Sequence, residues 1–309
     1  MVSENDRNLY QTCRICPRAC GVNRLEGSKG ICSMESIPVV NISMHHYGEE
    51  PPISGDTNGG GSGAIFFEGC PMKCPFCQNF SISRGNTSSG TSYTYQELAN
   101  LYLKLQDEGA NNINLVTALH FAPDIALSLE TARNKGLHIP VVVNSGGYES
   151  LETLKMLDGL VDVYLPDMKV WGEKLANELF HAPNYRDIAC AALEEMFRQT
   201  GSFVLNDDGF MTKGMIVRHL MLPGQLFDTK KVLDFLTSTF GNDIYISLMN
   251  QYTPMPQLES LNCPKYLNRK LSPSHYNTAV DYLFGLGQEN AFVQEDDASG
   301  DAMIPDFKS

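Results

Sequence analysis

The residues best equipped for chemistry lie in the run Glu68-Gly69-Cys70-Pro71-Met72-Lys73-Cys74-Pro75-Phe76-Cys77-Gln78-Asn79. Cys70, Cys74 and Cys77, spaced by three residues and then two, fall in one tight loop. Three thiolates can hold three irons of a [4Fe–4S] cube, which leaves the fourth iron without a protein ligand and open to chemistry. The competing reading is structural zinc, which usually takes four N or S ligands, commonly as two spaced pairs. Only three cysteines cluster here, and His45 and His46 are the candidates for a fourth ligand, so the iron–sulfur reading is preferred.

A second group stands upstream. Cys13, Cys16, Cys20 and Cys32 are separated by turns at Pro17, Gly21, Gly27 and Gly30. The segment is too short to bury a core of its own, so a metal is expected to hold it together. Four sulfur ligands close a site, which suits structural zinc or a second iron–sulfur cluster; the spacing does not separate the two. His45 and His46 would face opposite sides of a strand and are expected as surface or loop residues. Cys190 sits in an apolar helical pattern and is expected as a buried thiol, while Cys263 has no neighbouring partner.

The chain has 309 residues, enough for a large core or for one α/β barrel. Its formal charge of −13 repels a phosphate backbone, and no basic stripe interleaves with aromatics, so nucleic acid is excluded as a partner. No apolar stretch approaches a membrane span, and the opening residues lack the order of a secretion signal. A soluble, cytoplasmic protein is expected, in which nine cysteines argue for metal ligation over disulfides.

The expected organisation is a metal-binding unit over residues 1–48, a Gly/Pro-rich linker over 49–63, an α/β domain over 64–287 and an acidic tail over 288–309. β-rich runs at 64–67, 112–117, 139–144, 161–165, 215–220 and 244–249 alternate with helical patterns at 94–106, 122–135, 150–157, 186–199 and 229–239. A last helical pattern, 274–284, is expected to pack on the outside. Six strands with crossover helices predict a parallel sheet curled into a barrel or part of one.

The cysteine loop, with Phe76 just before its last cysteine, resembles that of the radical S-adenosylmethionine (SAM) enzymes. The resemblance implies a partial (β/α)6 barrel, here with a small N-terminal metal-binding unit of four cysteines. It also implies that SAM chelates the open iron, that one electron from the reduced cluster releases a 5′-deoxyadenosyl radical, and that this radical takes a hydrogen atom from substrate. A low-potential donor, flavodoxin or ferredoxin, would supply the electron.

Active sites of such barrels gather at the carboxyl ends of strands. Those exits offer Thr117 and His120 after the second strand and Asn144 after the third, all with side chains able to hydrogen-bond SAM or substrate. The second exit departs from the Gly-Gly-Glu-like motif of many radical SAM enzymes. At the fourth exit Asp167 and Lys169 match the Asp-Leu-Lys turn of glycyl-radical-enzyme activases, where the ammonium would neutralise the SAM carboxylate, with a structural salt bridge as the alternative. The run from Arg218 to Gly224 resembles their Arg-x-x-x-x-Pro-Gly strand. Alternation lets Arg218 face SAM and turns His219 toward the helices. Gln251 and Tyr252 are candidates for substrate or adenine contacts.

Together with Cys13-x-x-Cys16-Pro17-Arg18-x-Cys20 and Glu50-Pro51-Pro52-Ile53-Ser54-Gly55, these pieces resemble pyruvate formate-lyase activating enzyme-like proteins. The leading expectation is an enzyme that abstracts hydrogen from a protein substrate, installing a glycyl radical on a partner enzyme. A radical SAM enzyme acting on a small molecule or peptide, and a non-catalytic iron–sulfur carrier, are the alternatives.

Overall fold

The computed structural model describes residues 3–56, 59–85, 87, 89–261 and 263–294. Its strands are β1 (Val39–His46), β2 (Ser62–Phe67), β3 (Thr91–Ser92), β4 (Ile113–Val116), β5 (Val141–Ser145), β6 (Val163–Pro166), β7 (Val204–Leu205), β8 (Met211–Leu220), β9 (Tyr245–Met249) and β10 (Ala291–Val293). Every residue of β2, β4 and β6 is buried, as expected of parallel strands covered on both faces.

The sheet order is β10-β9-β8-β6-β5-β4-β2-β1-β3, with β7 attached to β8. All pairings from β2 to β10 along this path are parallel, while β1 adds antiparallel to β2. The six expected strands are thus adjacent in chain order. Helices Tyr95–Asp107, Ala122–Asn134, Leu151–Met156, Tyr185–Thr200 and Leu226–Phe240 connect them. Their starts follow from local chemistry: Thr94 and Glu97 form a reciprocal capping box, and the Ser150 hydroxyl accepts from the Thr153 N–H. A single cavity is lined from β1, β2, β4, β5, β8, β9 and β10, which requires the sheet to curl around it. No pairing among the described residues joins β10 to β3, so the architecture is a partial barrel.

Two features depart from the reading of the sequence. The helix Pro273–Gly285 is not the last element, since it leads to β10, a seventh parallel strand. Residues 295–309 of the expected acidic tail lie outside the described residues. Glu49–Gly63 is more than a linker: Pro51–Ser54 forms a turn of helix, and Ile53 is fully buried among Val142, Val163, Leu165, Met211 and Ile216. These residues share strand faces with Asn144 and Arg218, so Ile53 plugs the barrel beneath them. Among the described residues no helix is long and apolar enough to cross a membrane.

The N-terminal segment docks on the barrel where the cysteine loop emerges. The Arg18 guanidinium donates to the carbonyls of Pro71, Phe180 and His181 at 2.9, 2.6 and 2.8 Å. Ser150 and Thr153 both donate to the Ile15 carbonyl. Gly69, at φ +79°, makes the approach possible: a Cβ there would lie 2.5 Å from the Cys32 carbonyl oxygen and 2.3 Å from Met34 Cγ.

Candidate functional site

The cysteine loop follows β2 directly, at the carboxyl end of the first parallel strand. Cys70, Cys74, Phe76 and Cys77 line a cavity of about 440 Å3, of a size that suits a small-molecule site. The loop is held by its surroundings. The Gln257 amide donates to the carbonyls of Cys77 and Pro75 at 3.2 and 3.4 Å, and Arg84 donates to those of Lys73 and Cys74 at 3.1 and 3.3 Å. Phe76 packs against Phe180 and Tyr252, with ring centroids 6.1 Å away in each case.

Thr117, Asn144, Asp167, Lys169 and Arg218 line the same cavity, although they are scattered over a hundred residues of chain. Thr117 occupies the left-handed region at φ +58°, uncommon for a residue with a Cβ, and its N–H donates to the Asn144 carbonyl at 2.9 Å. Lys169 pairs with Asp167 at 2.5 Å. Burial opposes the Lys169 charge, but Asp167 and the Cys74 thiol more than offset it and its pKa is raised. Burial in turn pushes the Cys74 thiol well up, and Lys169 pulls it part of the way back. A cation is therefore already in place for a bound anion or for cysteine thiolates.

The Tyr185 hydroxyl, which the sequence did not single out, braces this corner. It accepts from the Lys169 N–H at 2.8 Å and has the Asp167 and Gly146 carbonyls at 3.0 and 3.1 Å. Gly147, at φ +76°, brings its backbone so close that a Cβ would sit 2.1 Å from the Asp167 carbonyl. The paired glycines thus serve a backbone–backbone approach between the exits of β5 and β6.

Two expected SAM contacts are placed differently. His120 does not line the cavity. It is buried behind the cysteine loop with Nε2 2.8 Å from the Glu68 carbonyl, and burial lowers its pKa to about 3, so it is a neutral packing residue. Arg218 faces the cavity but is already engaged: it donates to Glu50 at 2.9 and 2.6 Å and pairs with Glu49 as well. A buried guanidinium requires such partners, and the carboxylates come from the segment read as a linker. Their only signal was the acidic pair ahead of Pro51-Pro52, where proline starts a helix. Asn144 and Asn114 also reach Glu49, at 3.4 and 3.2 Å. His219 turns outward as alternation requires, between the Met168 carbonyl and Thr229 at 2.7 and 2.9 Å. Gln251 lines the cavity, whereas the Tyr252 hydroxyl is used by the Leu267 carbonyl at 2.6 Å.

Among the described residues, no three His, Cys, Asp or Glu side chains are gathered tightly enough for one metal ion. The three thiols of the loop all line the cavity, a donor set that fits three irons of a cluster with the fourth left open. In the N-terminal unit Cys13, Cys16 and Cys32 are buried and Cys20 is half-buried. Burial raises the Cys16 thiol to about 12, and the neighbouring Cys32 and Cys20 add to the shift.

Glu149, beyond the β5 exit, carries a testable pH dependence. Burial raises its carboxyl from 4.5 to about 7, with the Ser145 hydroxyl pulling back. The native state therefore binds more protons than the unfolded chain between these values, and its stability falls as pH rises through them. Glu149→Gln is expected to match wild type near pH 4 and to exceed it at pH 8 by about 3 kcal/mol. Thermal unfolding of both proteins across this range measures the gap, and a constant gap would reject the assignment.

Residues 64–204 match the model of the radical SAM superfamily. An uncharacterized protein of Methanocaldococcus jannaschii is 29% identical over 281 residues, covering 89% of this chain and 75% of its own. Streptococcus suis SuiB bound to S-adenosylmethionine is similar at a TM-score of 0.49 and 14% identity over 74% of this chain. SuiB bound to its precursor peptide SuiA gives the same values, and this chain spans about half of SuiB, 48% and 47% in the two structures. The cysteine loop after β2 lies within the segment that is similar to the radical SAM superfamily.

Proposed function

We propose that this chain cleaves SAM reductively at a [4Fe–4S] cluster held by Cys70, Cys74 and Cys77 and abstracts a hydrogen atom from a substrate in the barrel cavity. The observation that carries the proposal is the placement of three thiols on one loop at a strand exit, above a cavity that also presents the Lys169 ammonium. When bound, the cluster and SAM supply a one-electron cleavage and a carbon-centred radical able to attack an unactivated C–H bond. The three thiolates would hold the irons. Lys169, kept charged by Asp167, would pair with the carboxylate of SAM. Phe76, Phe180 and Tyr252 form an apolar wall beside the loop that excludes water. Flavodoxin or ferredoxin would donate the electron.

Two substrate classes suit this first step. The Asp167-x-Lys169 turn and the Arg218 to Gly224 strand support a glycine on a partner enzyme, as in the activases they resemble. A small molecule or peptide side chain is favoured by a different observation: the cavity continues down to a polar floor made by Glu49, Glu50 and Arg218. A non-catalytic electron carrier has no use for either feature.

Anaerobic reconstitution followed by iron, sulfide and zinc analysis tests the reading, on wild type and on a variant lacking Cys70, Cys74 and Cys77. About four irons lost with the three cysteines supports the cluster. Equal iron in both proteins would reject it. The same measurement assigns the metal site we propose at Cys13, Cys16, Cys20 and Cys32: about one zinc in both proteins, or about four irons remaining in the variant. Lys169→Ala is expected to weaken SAM binding by about 10- to 100-fold, the worth of a charge-assisted hydrogen bond. Equilibrium dialysis measures this, and unchanged affinity would leave Lys169 as a purely structural partner of Asp167.

A further inference from the structure

We infer that the floor of the barrel recognises a cationic group of the substrate, an ammonium or guanidinium, through Glu49, Glu50 and Asn114. The inference rests on the reading above only in taking the cavity as the substrate site.

Charge at the floor does not balance. Glu49 and Glu50 both pair with Arg218, so two carboxylates share one guanidinium. The other strong cation lining the cavity, Lys169, is committed to Asp167. His46 also lines the cavity, but burial and Arg218 lower its pKa, so it supplies no charge near neutrality. Burial raises the Glu50 carboxyl to about 7, so near neutrality the surplus carboxylate is only partly ionised, and a bound cation would take the place of the proton that burial holds there.

Hydrogen bonding points the same way. Asn114 is fully buried on β4, two residues before Val116, which lines the cavity, so both side chains point to the barrel interior. Its amide nitrogen donates to Glu49 at 3.2 Å, while its oxygen has no partner among the described residues. An orphaned acceptor beside a surplus carboxylate calls for a group that brings both donors and positive charge. Ile53 closes the barrel underneath, so a ligand reaching the floor meets these groups away from bulk solvent, where charge pairing is strongest. An anionic group would add to the buried negative charge, and a neutral donor would satisfy the Asn114 oxygen without pairing with the carboxylate.

The test uses the full-length, reconstituted, SAM-loaded protein and three probes: n-butylammonium, agmatine and the neutral n-butanol. Titrations run near physiological salt, which screens adventitious binding of amines to the acidic surface. The expected result is saturable one-to-one binding of both cations, no comparable binding of n-butanol, and at least tenfold weaker cation binding in Glu50→Gln. Glu49→Gln provides the same comparison should the first variant fold poorly. Binding of n-butanol as tight as that of the amines, absence of cation binding, or wild-type amine affinity in both variants would each overturn the inference. So would a loss of SAM affinity in Glu50→Gln equal to the loss of amine affinity, because the carboxylate would then be a SAM contact. Cation binding as expected in a protein that never cleaves SAM would overturn the proposed reaction and leave this inference standing.

Discussion

Cys74→Ala is expected to yield a folded chain that makes no 5′-deoxyadenosine from SAM under reducing conditions. Cys74 is the middle of the three proposed ligands, buried and close enough to Lys169 for each to shift the other's pKa. Two remaining thiolates cannot retain a three-point hold on a cube, so cluster and activity disappear together. The barrel is expected to persist because its core is formed by strands and helices that do not need the thiol: Ile65, Ile113, Leu115, Val141, Val143 and Tyr164 are all fully buried in the main core cluster. Chromatography of the reaction products and circular dichroism of the variant decide the matter. Product at the wild-type rate would remove Cys74 from the ligand set, and loss of the native spectrum would assign it a structural role.

The second large effect is at Arg24, and it is one of stability. Arg24 is 1% exposed and makes no ion pair with a carboxylate among the described residues. Its guanidinium donates to the Glu35 carbonyl at 3.2 and 2.6 Å and to the His120 carbonyl at 2.6 Å, and it approaches Cys13 Sγ at 3.7 Å. It also lies over the Tyr10 and Phe121 rings, 4.7 and 5.2 Å from their centroids. The residue therefore ties the four-cysteine unit to the turn after β4. Through His120 and Glu68 it reaches the start of the cluster loop. Arg24→Met keeps the apolar stem but strands the buried His120 carbonyl and the part-buried Glu35 carbonyl, at a cost of about 3 kcal/mol. Limited proteolysis is expected to release the N-terminal segment first, and the melting temperature to fall. Lysine is not expected to rescue, because one ammonium cannot reproduce a planar fork that serves two carbonyls. Wild-type protease resistance in both variants would show that the unit is anchored elsewhere, with Arg18 the next candidate.

Much of the site was legible because its information is local. Cysteine spacing within one loop sets which thiols can share a cluster, and alternation along β8 is enough to place Arg218 inward and His219 against the helices, where it meets Thr229. The parallel sheet followed from β-rich runs separated by helical periods, and six of its strands occur in the expected order. The short edge elements did not follow: β3 and β7 have two residues each and β10 three, too few for a periodic pattern to register.

What the sequence by itself determined was the chemistry available: three thiols in one loop, four more upstream, and polar residues at the ends of predicted strands. What only the tertiary structure decided was pairing at long range. His120 reads as a ligand because it follows a strand, yet the docking of the N-terminal unit buries it against the Glu68 carbonyl. Arg218 reads as free for SAM, yet chain closure brings Glu49 and Glu50 beneath it from 168 residues away in the case of Glu50. The physical reason is that burial makes an unpaired charge too costly to leave alone, and the partner that satisfies it is chosen by how the sheet curls, which no window of neighbouring residues contains.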